Sequence, residues 1–191
     1  MFARRCALMA ASVAAVTAAG CGGGERQDAD EPSGTFKVAV VRASFPTKQH
    51  LAQPARFVIA VRNTGPKAVP NLAVTVSSFS ERSEAAGLAD PERAVWIVDS
   101  GPAGGDTAYV STWALGRLAP GQTRRFVWRV TAVKAGTHTV KWQVAAGLNG
   151  KAKATLAGNR APAGSVTVDV SSKPAQAHVD PKTGRVVRES Q

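Results

Sequence analysis

A sandwich of about seven antiparallel β-strands is the fold this sequence predicts. Three observations carry the prediction. Apolar residues recur at every second position in short segments, Gly, Pro and Asn clusters punctuate those segments, and strong helical periodicity is hard to find. The pattern occupies residues 35–170, a span typical of one domain and large enough for a proper core. An antiparallel barrel is the alternative closure of the same strands.

The elements follow in order. Phe36, Val38 and Val40 alternate with Lys37 and Ala39, which predicts a first strand. Phe57, Ile59 and Val61 alternate between Arg56 and Arg62 and end at the turn signal Asn63-Thr64-Gly65-Pro66. Leu72, Val74 and Val76 make the third strand, and the continuous apolar run Val95 to Val98 the fourth. Between them Ser80 is placed to cap a short helical turn, Ser80 to Leu88, that carries Glu81 and Glu84. Phe126, Trp128 and Val130 interleave with Arg125 and Arg129, and Val140, Trp142 and Val144 with Lys141 and Gln143. Val166, Val168 and Val170 close the series.

A register follows if Lys134-Ala135-Gly136 is a hairpin turn. Trp128 then faces Trp142, Phe126 faces Val144 and Val130 faces Val140, all on one side of the sheet. The same register sets Arg129 opposite Lys141 on the outer side, where like charges are unfavourable unless an anion lies between them.

The ends read differently. Arg4 and Arg5 precede an uncharged run, Cys6 to Ala19, of 14 residues. A spanning helix needs about 20, so the run predicts a secretory signal over residues 1–20. Ala18-Ala19-Gly20-Cys21 resembles the lipobox of bacterial lipoproteins, with Ala18 where that motif usually has Leu or Val. The resemblance implies lipid on the Cys21 thiol, the palmitate-type anchoring of a protein on the extracytoplasmic face of a cell membrane. Cysteine usage agrees. Only Cys6 and Cys21 are present, and loss of Cys6 with the signal leaves Cys21 without a disulfide partner. Residues 22–34 are glycine-rich and acidic, too polar to offset their ordering entropy, and predict a flexible tether. Residues 171–191 predict a polar, mostly disordered tail in which Val186-Val187 is the one apolar pair.

Several motifs recur in a known group of modules. Phe57-Val58-Ile59-Ala60-Val61-Arg62-Asn63-Thr64-Gly65, then Val69-Pro70-Asn71-Leu72, Leu118-Ala119-Pro120-Gly121 and Ala135-Gly136-Thr137 resemble bacterial immunoglobulin-like modules of the cell-adhesion-related type. The resemblance covers roughly Arg56 to Val144. The whole chain is similar to uncharacterised lipoproteins of high-GC actinobacteria. It implies an immunoglobulin-like sandwich and transfers no site residues. Residues 99–113 depart from a minimal module and predict a long loop or an extra hairpin.

Chemistry is sparse. His50, His138 and His178 have no metal-ligand spacing with another His, Cys or carboxylate, and no nucleophile sits beside a base. Asp99 and Asp106 flank a glycine-rich loop without the calcium-loop spacing, and the loop lacks the lysine of a phosphate loop. The expectation is therefore no enzyme, no cofactor and no metal. Trp128 and Trp142 fall on the core face. Trp96 and Trp113 flank the long loop and are the candidates for an aromatic sugar platform. The net charge is +11, and residues 35–170 hold 17 basic and 7 acidic residues, hence +10. A cationic domain beside a membrane attracts anionic headgroups or wall polymers. Arg125, Arg129 and Lys141 are the expected basic stripe. The expected role is an adhesion or scaffold module that meets another exported protein or an anionic envelope polymer, with nucleic acid removed as a partner by export.

Overall fold

A computed structural model describes residues 30–80 and 94–188. The signal segment, Cys21 and the expected helical turn after Ser80 lie outside the described residues. The strands are β1 (Gly34–Ser44), β2 (Lys48–Leu51), β3 (Pro54–Asn63), β4 (Ala73–Val76), β5 (Phe79–Ser80), β6 (Trp96–Ser100) and β7 (Asp106–Tyr109). They continue with β8 (Thr112–Ala114), β9 (Thr123–Ala132), β10 (Gly136–Ala145), β11 (Ala152–Thr155), β12 (Ala163–Pro174), β13 (Ala177–Val179) and β14 (Val186–Arg188). All seven expected strands are present, as β1, β3, β4, β6, β9, β10 and β12. The fold is an all-β, immunoglobulin-like sandwich of two six-stranded sheets.

One sheet runs β11-β1-β3-β9-β6-β5, the other β2-β12-β10-β4-β8-β7. Among these twelve strands, pairing is antiparallel through both centres and parallel where β11, β5 and β2 join as edge strands. Alternation explains the layering. Phe57, Ile59, Val61, Phe126, Trp128 and Val130 point inward from the first sheet and Val74, Val76, Val140, Val144, Val168 and Val170 from the second, all buried. Burying one such side chain stabilises the fold by about 1.5–3 kcal/mol. An aromatic cluster fills the middle. Trp128 stacks on Phe126 with centroids 5.7 Å apart, and Trp113 of the second sheet meets it edge-on at 5.4 Å.

The expected hairpin between β9 and β10 is not formed. β9 pairs with β3 and β6, while β10 pairs with β12 and β4, so the two strands belong to opposite sheets. Trp128 lies opposite Phe57, and Trp142 opposite Gly164 and Val76. Each strand already has a neighbour on both sides, which leaves no edge for a hairpin partner. Lys134-Ala135-Gly136 instead carries the chain from one sheet to the other. His138 Nε2 closes this arch, 3.2 Å from Lys134 O and 3.1 Å from Ala135 O. Both neighbours are acceptors, so this nitrogen carries the proton. Gly164 admits the Trp142 ring, since a Cβ there would lie 2.4 Å from Trp142 Cζ2.

The turn motifs meet one another. Asn63 is fully buried, its Nδ2 donates to Lys67 O (2.8 Å) and Leu118 O (3.0 Å), and its Oδ1 accepts from Gly65 N (2.9 Å). Gly121 N donates to Asn63 O at 2.9 Å, and Asn63 N to Gln122 O at 2.9 Å. Asn63-Thr64-Gly65 and Leu118-Ala119-Pro120-Gly121 thus form one knot at the end of β3 and β9. A backbone φ of +74° at Gly121 requires glycine at little cost there.

Both ends carry more order than composition predicts. Glu31, expected within the tether, places its carboxylate on the amides of Leu148, Asn149 and Ala152, a charge-assisted clasp beside β11. At the other end β12 runs on to Pro174, paired with β2, where a tail was expected from Ser171. β13 and β14 then form a small hairpin that uses Val186 and Val187.

Candidate interaction face

The outer face of the first sheet collects positive charge. On β3 the inward set Phe57, Ile59 and Val61 leaves Arg56 and Arg62 outside. On β9 the inward set Phe126, Trp128 and Val130 leaves Arg125 and Arg129 outside. The register adds them together. Arg56 lies directly opposite Arg129, and Arg125 opposite Ala60.

A bulge in β1 supplies the fifth guanidinium. Alternation from Phe36 through Val40 would send Arg42 into the core. The register shifts between Val40 and Arg42, so Arg42 pairs with Ala60 on the outer face instead. Arg42 and Arg125 therefore flank Ala60 from both sides, their strands roughly 10 Å apart. Ala60 is 5 % exposed although it faces outward, and Arg42 Nε donates to Ser44 Oγ at 3.3 Å along the same face. Lys37 and Lys153 extend the charge along the β1–β11 edge. Among the described residues, the single acid at an outward position of this sheet is Asp99, whose carboxylate accepts from Thr131 Oγ1 at 2.7 Å.

The second sheet's outer face is of another kind. Thr75 and Thr112 hydroxyls meet at 2.8 Å and those of Thr139 and Thr167 at 3.2 Å. Lys141 lines a shallow groove there with Thr75, Ser77, Gln143 and Ser165. Asp169 lies opposite Lys48 across the β12–β2 pair.

Arg125 and Arg129 share a face as expected, but Lys141 lies on the opposite side of the sandwich. The stripe of Arg125, Arg129 and Lys141 is thereby corrected, because β9 and β10 lie in different sheets. The sugar platform is corrected too. Trp96 is 0 % and Trp113 2 % exposed, both within the aromatic core. Trp96 Nε1 donates to Gln49 Oε1 at 2.8 Å, and Gln49 Nε2 donates to Pro46 O at 2.9 Å. That buried relay between sheets satisfies the indole, and nothing in the polar run Lys48-Gln49-His50 announces it.

Arg56, Arg62 and Arg42 were not singled out from the sequence. The first two were legible, since both share the outward parity of β3. Arg42 was not, because a bulge reverses its parity. Asp99 belongs to β6 in the first sheet and Asp106 begins β7 in the second, so their strands diverge. His50 Nδ1 lies 3.1 Å from Lys173 O. Among the described residues no group of three or more His, Cys, Asp or Glu is placed to hold a metal ion, and no helix is long and apolar enough to cross a membrane.

No protein-family model matches the chain, and no curated protein sequence does. Solved structures do. A CARDB domain from Pyrococcus furiosus, crystallised in complex with di-metal ions, is 14% identical with a TM-score of 0.40, over 73% of this chain and 93% of that one. The native α2-macroglobulin of Escherichia coli, from domain MG7 to its C-terminus, is 15% identical with a TM-score of 0.44, over 78% of this chain and 21% of that one. A β-glucosidase from Listeria innocua is 9% identical with a TM-score of 0.33, over 73% of this chain and 16% of that one. The chain's neighbours among solved structures thus include cell-adhesion-related domains of immunoglobulin-like fold, at low sequence identity.

Proposed function

We propose that the protein is a non-catalytic interaction module, exported and anchored by lipid on Cys21, that presents the outer face of β1, β3 and β9 to an anionic component of the cell envelope. The observation that carries this reading is the gathering of Arg42, Arg56, Arg62, Arg125 and Arg129 on one sheet face, while the opposite face is mostly hydroxyl-bearing, carries Lys141 and sets Lys48 opposite Asp169. A surface that serves solubility alone has no need of such asymmetry. Sandwich folds host many functions, so the fold itself supports only the class of module.

Two measurements test it. Radioactive fatty acid should label the wild-type chain and leave Cys21→Ser unlabelled; equal labelling removes the anchor. A photo-crosslinker at Thr123, on the cationic face, should capture envelope components in cells, and one at Thr139, on the second sheet, should not. Equal capture from both positions, or none from either, removes the interaction face.

A further inference from the structure

We propose that the cationic face of β1, β3 and β9 docks flat on a bilayer rich in anionic phospholipid. The inference rests on the reading above and names the envelope component. Charge complementarity is the first argument. The five charges named there are guanidinium groups, which pair with phosphate oxygens bidentately and shed water more readily than ammonium does. Among the described residues the only acid near them, Asp99, is engaged by Thr131.

Shape is the second argument. β3 lies between β1 and β9, hydrogen-bonded on both sides, so the cations stand on a sheet surface and not along a cleft. They spread over three strands in two dimensions. A linear polyanion is matched by a row of charges, a bilayer by a field of them. Val58 and Val127 are half-buried between the arginines, and Val41 at the bulge is 55 % exposed. Apolar contact framed by basic residues suits the boundary between headgroups and acyl chains.

The chain supplies the third argument. Cys21 lies ten residues before Glu31, a stretch that spans at most about 36 Å. Glu31 is clasped beside β11, the strand that borders β1 in the same sheet. A lipid at Cys21 therefore keeps this sheet within a short radius of the membrane, where a weak surface contact is reinforced by high effective concentration.

The test is co-sedimentation of the full chain carrying Cys21→Ser, so that no lipid anchors it. Vesicles are of phosphatidylcholine alone or of equal parts phosphatidylcholine and phosphatidylglycerol, at low and at high salt. Binding is expected to the anionic vesicles at low salt only. Each basic residue near an anionic surface raises partitioning roughly five-fold. The triple variant Arg42→Gln, Arg62→Gln, Arg125→Gln should therefore lose about a hundred-fold, with a melting temperature no lower than the parent's. The triple variant Lys48→Gln, Lys134→Gln, Lys141→Gln removes the same charge away from this face and should bind like the parent.

Equal losses from the two triples, or binding to both vesicle types, would overturn the proposal. So would capture of a soluble anionic wall polymer without vesicle binding. In that case Cys21 labelling and crosslinking from Thr123 would still stand, so the lipid inference fails without the interaction module.

Discussion

Trp128 sits in the aromatic cluster between the two sheets. Its ring stacks on Phe126, meets Trp113 edge-on and is fully buried. Among the described residues its Nε1 finds no hydrogen-bond partner, and the ring contributes there through packing and apolar burial. Trp128→Ala should lower stability by about 3–5 kcal/mol in urea unfolding. Arg125→Ala, on the outer face of the same strand, should change it by less than about 0.5 kcal/mol. Comparable losses from the two would mean the faces of β9 are inverted. Asn63 acts by hydrogen bonding instead. Asn63→Ala should cost roughly 2–4 kcal/mol, since three bonds are lost and buried partners are left unsatisfied. A loss under about 1 kcal/mol would show that water replaces the side chain. The importance of both residues could be read early, Trp128 from alternation and Asn63 from its turn motif. Gln49 could not, because a buried amide in a polar run is decided by the indole that happens to face it.

Strands add effects that no single residue has. Arg56 and Arg129 are directly opposed across β3 and β9, an unfavourable pairing of like charges in the free protein. Arg129→Thr should raise stability by a few tenths of a kcal/mol and weaken binding to anionic vesicles. A loss of stability would mean that the Arg129 stem contributes more by packing than its charge costs. The β13–β14 hairpin depends on Asp180 in a different way. The amide of Lys182 donates to Oδ1 at 2.8 Å and the Thr183 hydroxyl to Oδ2 at 2.9 Å. These bonds, the Lys182 amide foremost, favour the ionised form and hold the carboxyl below its ordinary value of 3.8. Their support is complete above that value and is withdrawn as pH falls through the lowered one. Amide exchange at Asp180, whose N–H donates to Arg185 O at 2.9 Å, should therefore quicken in acid relative to β3, and Asp180→Asn should remove the difference. The hairpin was signalled by Asp180-Pro181 and Gly184 between two valine sites. Composition hid it, because a polar segment of this length predicts disorder.

At the scale of the whole molecule, charge and topology act together. Residues 35–170 carry +10, and five arginines share one face. Their mutual repulsion opposes the compact state and is screened by salt. The melting temperature of the Cys21→Ser chain should rise between low and physiological ionic strength. A fall would mean that favourable ion pairs outweigh repulsion. The sandwich holds this concentration of charge because inward apolar residues of β3 and β9 fix the opposite parity outside.

Local alternation and turn chemistry determined the all-β class, the seven central strands, the faces of Trp128 and Arg125, and the cationic balance. These are properties of neighbours along the chain, where a period of two separates inside from outside without reference to partners. Which strands pair was decided only in three dimensions. The hairpin of β9 with β10 and the observed crossover place the same residues inward, so parity does not distinguish them. The outcome followed from competition among strands far apart in sequence, and it moved Lys141 to the opposite face and brought Arg56 against Arg129. The bulge that turns Arg42 outward belongs to the same level. One extra residue in β1 is set by its fit against β3, and it reverses the face of the residues that follow.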